Sequence, residues 1–370
     1  MDRQFLIPRY LPLIYSIKLE SWEKNMTNAI WNLIADLNKK SGITEILING
    51  PKQLFVEKNG QIIQLSANLL TEDISVFIKE VADFNHKICD QDHPILDGNL
   101  PDGSRINIIN EPFVQGSPAI SIRKYLKIIS SFDNNQIIFG LSPKWNEFFK
   151  AIISAKLNVV ISGGTGSGKT TFLNLLINEI SKTERIITIE DTIELSINHP
   201  NVVRLESGAK SLQSKSELST RDLVKNTLRM RPDRIIIGET RGPELFDLLQ
   251  AMNTGHEGSM TSLHSNSGGD CLSRMETLFL MAGFEIPLIV VRKQITSAIN
   301  FIIQLGRDHD GARVIMEIIE VCGMEGTTIL TQQMAVREDG KLVFKGIPPK
   351  VMEQLHRRGA LAYNFFENMN

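Results

Sequence analysis

The stretch of sequence that decides the fold is Gly163-Gly164-Thr165-Gly166-Ser167-Gly168-Lys169-Thr170. It fits the phosphate-loop pattern, in which four residues separate the first glycine from a Gly-Lys-Thr end. A run of β-branched residues precedes it, and the apolar residues of the segment 171–180 follow at helical spacing. The pattern is meaningful only between a strand and a helix, so this context supports the prediction of a P-loop. A glycine-rich turn before a helix is the alternative, and the complete pattern weighs against it.

The predicted loop has the chemistry of a phosphate-binding site. Glycines allow the backbone to curl until successive N–H groups point at phosphate oxygens, and the helix that follows adds the positive end of its dipole. We expect Lys169 to reach the β- and γ-phosphates of ATP and the Thr170 hydroxyl to bind Mg²⁺. The residues predicted to bind the nucleotide are Gly163, Gly164, Thr165, Gly166, Ser167, Gly168, Lys169, Thr170 and Thr171.

Around this loop, strand and helix patterns alternate from Trp145 onward, which predicts an α/β fold with a mostly parallel sheet. Polar or glycine-rich residues follow each predicted strand at once. Ligands of open α/β sheets bind beyond the carboxyl ends of the strands, so we expect four such ends to form one crevice. The predicted strands span residues 158–162, 185–189, 234–238 and 259–263.

Acidic residues follow two of these strands. Glu239 comes after a buried apolar run, as in a Walker B strand, where it can hold Mg²⁺ or orient the attacking water. Glu190, Asp191 and Glu194 follow another strand, and three acids so close together repel one another unless a cation lies among them. Glu194 is the leading candidate for the general base and Glu239 its rival, because the sequence does not separate them. Solvated surface acids are the alternative.

Two histidines flank the fourth strand. His256 lies in Thr254-Gly255-His256-Glu257-Gly258 before it, and His264 follows it. A neutral imidazole near a γ-phosphate can donate a hydrogen bond and so sense that phosphate. A lone histidine is more often structural, but a position at the end of a sheet strand favours the functional interpretation for His264. We predict that His264 is catalytic and, with less support from its position, that His256 contacts the nucleotide.

The first part of the chain has the pattern of a small α+β domain over residues 1–130. Helical spacing predicts one helix within 27–40 and a second, amphipathic helix from Thr71. Residues 131–145 form the predicted linker, and 146–370 form the P-loop domain, which ends in a predicted helical tail. The strands predicted for the first domain span residues 43–49, 53–56, 61–65, 104–109 and 119–123, with Asn59-Gly60 as a hairpin turn.

The composition of the chain argues against several classes of protein. The chain has 370 residues, of which 42% are hydrophobic and 22% charged, so disorder is excluded as its main character. The net charge of -2 provides no cationic excess for a polyphosphate backbone, and we expect no direct contact with nucleic acid. Three isolated cysteines cannot form a disulfide framework or a four-cysteine zinc site within one chain. The isolated cysteines favour a reducing, cytoplasmic environment. No apolar run is long enough to cross a bilayer, so we expect any membrane contact to be peripheral.

Several motifs, taken together, resemble the secretion ATPases of bacterial type II and type IV secretion, conjugation and pilus assembly. The resemblance is to the VirB11-like ATPases and the Tad pilus assembly (CpaF-type) branch, and it runs from about Gly42 to Gly326. Beside the P-loop it includes an Asp box, a Walker B strand and a His box in the family's order. The segments that carry it are 42–50, 100–107, 121–124, 163–170, 190–195, 228–239 and 251–264.

The resemblance implies a hexameric ring of RecA-like ATPase domains, each with an N-terminal domain that swings relative to it. Such rings act at the cytoplasmic face of the inner membrane with secretion or pilus platform proteins, and Mg²⁺-dependent ATP hydrolysis drives pilus assembly or substrate export. Family members place arginines of the N-terminal domain against the γ-phosphate, and the matching positions are Arg105 and Arg123. Surface salt bridges are the alternative for these two.

The chain departs from the family in two motifs, and its tail from Gln332 to Asn370 matches the branch only loosely. The tetracysteine insertion of type II assembly ATPases is absent, and Ser265 follows His264 where the Tad branch more often has alanine. A further group, Arg229, Arg231 and Arg234, fits either a subunit interface or a structural role.

Two other functions remain open at this point. A hexameric helicase or nucleic-acid translocase shares the P-loop and Walker B pattern, but it needs a basic channel with aromatic residues, and only 6% of the residues are aromatic. A nucleotide-switched scaffold would bind ATP and scarcely hydrolyse it. The acids Glu194 and Glu239 favour turnover, because a pure switch needs no group that activates water.

Overall fold

The computed structural model describes residues 28–58, 61–124, 131–132, 138–207 and 218–369. These residues form two compact units. The N-terminal unit contains the described residues up to Lys124, and the C-terminal unit contains those from Ser131 onward. Within the stretch predicted as a linker, a helix already begins at Pro143.

The N-terminal unit is an antiparallel sheet with two helices. Its strands lie in the order β3-β2-β1-β6-β5-β4. The elements are α1 (Ala29–Asn38), β1 (Ile43–Ile48), β2 (Leu54–Lys58), β3 (Gln61–Leu65), α2 (Thr71–Phe84), β4 (Ile95–Asn99), β5 (Arg105–Ile109) and β6 (Ala119–Arg123).

Local sequence explains these elements. Asn28 caps α1, because its side chain accepts a hydrogen bond from the Ile30 N–H at 2.8 Å. Ile106 and Ile108 of β5 are buried while their neighbours are not, so one face of the sheet covers the core that it shares with the helices. Strand β4 was not predicted, since Asp97 and Gly98 interrupt its apolar pattern. The proposed turn at Asn59-Gly60 lies outside the described residues, although β2 and β3 on either side of it do pair.

The C-terminal unit alternates strands and helices and then continues as antiparallel strands. Its elements are α3 (Pro143–Ser154), β7 (Val159–Gly163), α4 (Lys169–Asn178), β8 (Ile186–Glu190), β9 (Val202–Glu206), α5 (Thr220–Thr227), β10 (Arg234–Ile237), α6 (Glu244–Asn253), β11 (Met260–Leu263), α7 (Gly268–Leu280), α8 (Leu288–Ala298), β12 (Phe301–Arg307), β13 (Arg313–Glu325), β14 (Thr328–Glu338), β15 (Lys341–Phe344), α9 (Met352–Arg357) and a 3-10 helix (Phe365–Asn368).

One sheet runs through this unit in the order β15-β14-β13-β12-β7-β11-β10-β8-β9. The strands from β12 to β9 in that order are parallel, and β13 to β15 extend the sheet as antiparallel strands. Alternate residues of β7 enter different cores: Val159 and Ile161 pack on one face and Val160 on the other. Burial on both faces explains why the central strands are continuous apolar runs.

The four strands predicted around the P-loop are confirmed, each within one residue at either end. The strands β12 to β15 were not predicted. In β14 only Met334 and Ala335 are buried and most of the other residues are polar, so the strand has a weak apolar pattern. The predicted helical tail is limited to α9 and the 3-10 helix, because residues up to Phe344 extend the sheet instead.

Candidate nucleotide-binding site

The P-loop lies where the sequence places it, between β7 and α4. β7 ends at Gly163, and α4 begins at Lys169. Gly166 and Gly168 have φ angles of 71° and 97°, a left-handed conformation that residues with a Cβ seldom adopt. The strand, curled loop and helix of the predicted motif are therefore all present.

Close packing explains the glycine at position 163, because the loop folds back against it. A Cβ at this position would lie 2.5 Å from Ser167 Oγ and 2.8 Å from the Leu305 carbonyl oxygen. Leu305 belongs to β12 and pairs directly with Gly163. In contrast, a Cβ at Gly164 would meet nothing within 4 Å, so packing does not explain that glycine.

The side chain of Lys169 is buried against the loop. Its Nζ donates hydrogen bonds to the carbonyl oxygens of Gly163 at 2.9 Å and Gly164 at 3.0 Å. His264 lies on the other side, with Nδ1 3.2 Å from Nζ. The lysine thus joins the end of β7 to the residue that follows β11, the strand next to it in the sheet.

Glu239, which lies just after the end of β10, contacts His264 in turn. Its Oε1 lies 2.9 Å from His264 Nε2, which is an ion-pair distance. Arg241 Nη2 donates a hydrogen bond of 2.7 Å to the other oxygen, Oε2. Oε1 is buried and accepts no hydrogen bond from the described residues. One oxygen of the carboxylate is therefore held, and the other is available to a further donor or cation.

The charges in this group favour an ionised Glu239. Burial alone would raise its pKa, but the hydrogen bond from Arg241 and the charges of Arg241 and Lys169 lower it, and His264 adds to this when its ring is protonated, so that the net effect is a lowered pKa. Burial also lowers the pKa of His264; Lys169 lowers it further, while Glu239 acts in the opposite direction. A neutral imidazole beside a carboxylate and an ammonium group is the expected state near neutral pH.

The acids that follow β8 have three different environments. Glu190 is buried, and its Oε2 accepts hydrogen bonds from the backbone N–H groups of Glu194 at 2.7 Å and Leu195 at 2.8 Å. Burial raises its pKa, and Arg204, 3.6 Å away, opposes this. Glu190 thus shapes the loop that carries Glu194. It is not one of three acids gathered around a common cation.

The other two acids lie nearer to the crevice. Asp191 Oδ2 is 3.6 Å from Arg241 Nη1, and its Oδ1 accepts a hydrogen bond of 2.8 Å from Ser207 Oγ. The charge of Glu194 also acts on Arg241. Arg241 is the basic group toward which these acids and Glu239 converge.

The predicted Mg²⁺ ligands, Thr170 and Glu239, fit the requirements of that ion. Thr170 lies in the first turn of α4, and Glu239 offers the buried oxygen that accepts no hydrogen bond. Among the described residues, no cluster of three or more histidine, cysteine or acidic side chains could hold a metal. Mg²⁺ in nucleotide sites commonly has few protein ligands, and phosphates and water supply the rest. The donor set suits Mg²⁺ carried by a nucleotide.

The structure does not bring His256 to this group. His256 precedes β11, whereas the P-loop follows β7, and the two strands are parallel. The histidine therefore lies at the opposite edge of the sheet from the loop. Its Nδ1 is 3.3 Å from the carbonyl oxygen of Ala251, at the end of α6. Within one chain His256 is a structural residue and not a nucleotide contact, which corrects the prediction.

Arg105 and Arg123 belong to the N-terminal unit, where they are direct partners in the pairing of β5 and β6. Directly opposed residues of antiparallel strands point to the same face of the sheet. Glu45 of β1 pairs with Arg123 from the other side. Two arginines are thus side by side on one face, although like charges directly opposite each other destabilise a sheet.

Some residues of the site were missed by sequence reasoning. Arg241 follows Glu239 by only two positions, and that spacing was a usable signal. Arg307 and Arg313 donate hydrogen bonds to the P-loop from strands that were not predicted. Arg234 is fully buried and forms an ion pair of 2.8 Å with Glu184, so it is structural and does not line a subunit interface.

Comparison with known proteins assigns the chain to a family. A model of the family "Type II/IV secretion system protein" matches residues 31–338. A putative conjugal transfer protein of Mycobacterium tuberculosis is 30% identical over 302 residues, which cover 80% of this chain and 85% of that protein. The conjugal transfer protein TrbB of Rhizobium radiobacter is 32% identical over 301 residues, 80% of this chain and 89% of that protein.

The chain belongs to the Type II/IV secretion system protein family. The X-ray structure of the Legionella pneumophila ATPase DotB superimposes with a TM-score of 0.58 at 21% identity, over 80% of this chain and 81% of that one. This confirms the predicted fold, a RecA-like P-loop domain preceded by a smaller N-terminal α+β domain. No helix within the described ranges is long and apolar enough to span a membrane.

Proposed function

We propose that the chain is a Mg²⁺-dependent ATP hydrolase that works as a hexameric ring and couples hydrolysis to pilus assembly or substrate export by a type IV or type II-like secretion system. The observation that carries the proposal is the contact of Lys169 with His264 and of His264 with Glu239, beside the P-loop. Three neighbouring strands deliver these groups to one point. Membership of the secretion family and the conjugal transfer relatives support the export role.

Each group has a distinct task in hydrolysis. The curled loop and the N-terminus of α4 receive the phosphates, and Lys169 pairs with the β- and γ-phosphate oxygens. Thr170 and Glu239 would hold Mg²⁺, which would neutralise charge on the phosphates. His264 contacts both Lys169 and Glu239, so it connects the residue that binds phosphate with the acid proposed to activate water.

Glu239 is the better candidate for the acid that activates water. Through His264 it is joined to Lys169, the residue that binds the terminal phosphates. Glu194 instead lies on the loop shaped by Glu190, and its charge acts on Arg241. We therefore assign Glu239 to the water and Mg²⁺, and Glu194 to the electrostatics of the crevice.

The arginines of the N-terminal unit complete the proposed site in the assembled ring. Arg105 and Arg123 form a pair of guanidinium groups on one sheet face, and such groups suit the three oxygens of a γ-phosphate. We propose that the ring acts in the cytoplasm, peripherally at the inner membrane, on secretion or pilus platform proteins and without direct contact with nucleic acid.

The test is the Mg²⁺-ATPase rate per subunit as the protein concentration is raised. The variants are Arg105→Ala and Arg123→Ala, and the control is Lys79→Ala, which removes an exposed positive charge from α2 of the same unit. We expect specific activity to rise with concentration for the native chain and for the control, and to stay low for both arginine variants. Sedimentation velocity under the same conditions should show a hexamer.

A rate per subunit that is flat with concentration, together with unimpaired arginine variants, would contradict the ring mechanism. If the chain also sediments as a monomer while it hydrolyses ATP, this would support the assignment as an ATPase and contradict the proposed hexameric ring. Absence of any ATPase activity in a hexamer would favour the nucleotide-switched scaffold.

A further inference from the structure

Strand β12 places two arginines beside the P-loop. It runs parallel to β7, with Leu305 opposite Gly163. Because β7 ends at Gly163 and β12 continues to Arg307, the end of β12 projects alongside the loop. The chain then turns and returns as β13, so that Arg313 is paired directly with Arg307.

Both arginines bind the same atom of the loop. Arg307 Nη2 and Arg313 Nε each donate a hydrogen bond of 3.2 Å to the carbonyl oxygen of Gly166. Arg307 also fixes its own turn, because Nη1 donates to the Gly311 carbonyl at 3.0 Å. The side chain of Arg313 lies close to Gly168, where a Cβ would come within 3.0 Å of Arg313 Cδ.

These contacts act on the flexible part of the loop. Gly166 and Gly168 have the positive φ angles that define its curl, and glycine has the largest conformational freedom to lose. Two donors on the Gly166 carbonyl restrict that freedom before a ligand arrives, and prior ordering increases affinity because less entropy is lost on binding.

The charges of the pair also point to an anion. Like charges directly opposite each other on a sheet are destabilising. A polyphosphate in the adjoining loop would attract both guanidinium groups.

We propose that Arg307 and Arg313 are positioning residues for nucleotide phosphates, which hold the Gly166 carbonyl and add two positive charges beside the loop that receives a nucleoside di- or triphosphate. The inference rests on the proposed binding of nucleotide at the P-loop. It concerns affinity: the pair acts through the loop and not on the attacking water.

The experiment measures binding of fluorescent methylanthraniloyl-ADP to the full chain. The variants are Arg307→Gln, Arg313→Gln, the double glutamine variant and the double lysine variant. Arg292→Gln is the matched control, since it removes one arginine of the same unit that pairs with Glu276. Lys169→Ala serves as the reference for a disabled loop.

We expect each glutamine variant to bind ADP roughly tenfold more weakly, because a charge-assisted contact to the loop is lost. The double variant should bind more weakly still, and Arg292→Gln should bind like the native chain. In steady-state assays KM for ATP should rise while kcat stays within about twofold, as expected when binding is impaired and chemistry is not. Raising the salt concentration should weaken ADP binding more for the native chain than for the double glutamine variant.

Native affinity in the double glutamine variant, with binding lost in Lys169→Ala, would overturn the inference and leave the proposed function intact. Failure of the native chain to bind ADP would overturn the proposed function itself. If the glutamine variants melt earlier than the native chain without nucleotide, the lysine variant decides, because it keeps both charges. Weak binding by a folded lysine variant supports positioning through the paired guanidinium groups. Native binding by the lysine variant would overturn positioning by the guanidinium groups, because the two charges alone would then suffice. Unfolding of every variant at this pair would show that the two arginines support the fold, and it would overturn the proposal.

Discussion

Replacing Glu239 by glutamine tests the central acid of the proposed site with little change of shape. In the structure Oε2 accepts a hydrogen bond from Arg241 and Oε1 lies 2.9 Å from His264 Nε2 without accepting a hydrogen bond. An amide in the same place can keep the contact with Arg241 through its oxygen. It cannot take a proton from water, and it is a poor ligand for Mg²⁺. Binding should therefore survive while turnover falls.

The expected magnitude follows from the task assigned to the residue. A positioned general base contributes about 10²- to 10⁴-fold to a rate, which corresponds to about 3 to 5 kcal/mol of activation free energy. We expect Glu239→Gln to lower the ATPase kcat within that range, while Kd for methylanthraniloyl-ADP changes by less than about threefold. Glu194→Gln should lower kcat by about tenfold or less, because its charge acts on the crevice from a distance.

The assay is single-turnover hydrolysis of radiolabelled ATP with excess protein, so that product release does not limit the rate. Asp191→Asn is a useful comparison, since it removes one acid near Arg241 without changing Glu239. A larger loss of single-turnover rate in Glu194→Gln than in Glu239→Gln would refute the assignment of the base. Loss of ADP binding in Glu239→Gln would show that the residue supports the site structurally.

Three further predictions concern the scaffold of the site. Gly163→Ala should destabilise the fold by about 1 to 3 kcal/mol in urea unfolding and weaken ADP binding, because the new Cβ meets Ser167 and the Leu305 carbonyl; unchanged stability would contradict the close packing. Arg234→Met should lower the free energy of unfolding by about 3 kcal/mol. This is near the low end for breaking a buried ion pair, because Lys156 still pairs with Glu184 at 3.0 Å. The control Arg229→Met, at an exposed position, should change the free energy of unfolding little. The pKa of Glu184 is below its ordinary value of 4.5, because Arg234 and Lys156 outweigh the opposing effect of burial. Its stabilising effect is therefore complete above that value and is lost as pH falls through the folded pKa. The stability difference between the native chain and Arg234→Met should therefore be constant above about pH 4.5 and shrink as the pH falls below that value; a difference independent of pH would contradict this pairing.

The parts of the site that the sequence predicted are those whose position follows from strand order. Gly163 is the last residue of a parallel strand, and Glu239 and His264 lie just beyond the carboxyl ends of two others. In such a sheet these ends share one edge. A motif at the end of a predicted parallel strand could therefore be placed at this edge of the sheet from the sequence alone. The prediction for His256 failed because that residue precedes its strand, so the same rule places it at the opposite edge.

The parts that the sequence did not predict depend on contacts between distant residues. The burial of Glu190 follows from the way the loop after β8 closes over its carboxylate, which no spacing in the sequence reveals. Arg307 reaches the P-loop only because β12 pairs with β7, more than a hundred residues earlier in the chain. The role of Arg105 and Arg123 came from resemblance alone, and their side-by-side pairing became evident in the structure.

The most direct measurement of the central claim is the Mg²⁺-ATPase rate of the native chain compared with that of Lys169→Ala. Arg292→Ala is the control, because it removes a basic side chain that pairs with Glu276 on the helices α7 and α8. We expect hydrolysis by the native chain and the control, and loss of both ADP binding and hydrolysis in Lys169→Ala. ATP turnover in Lys169→Ala equal to that of the native chain would contradict a nucleotide site at this loop.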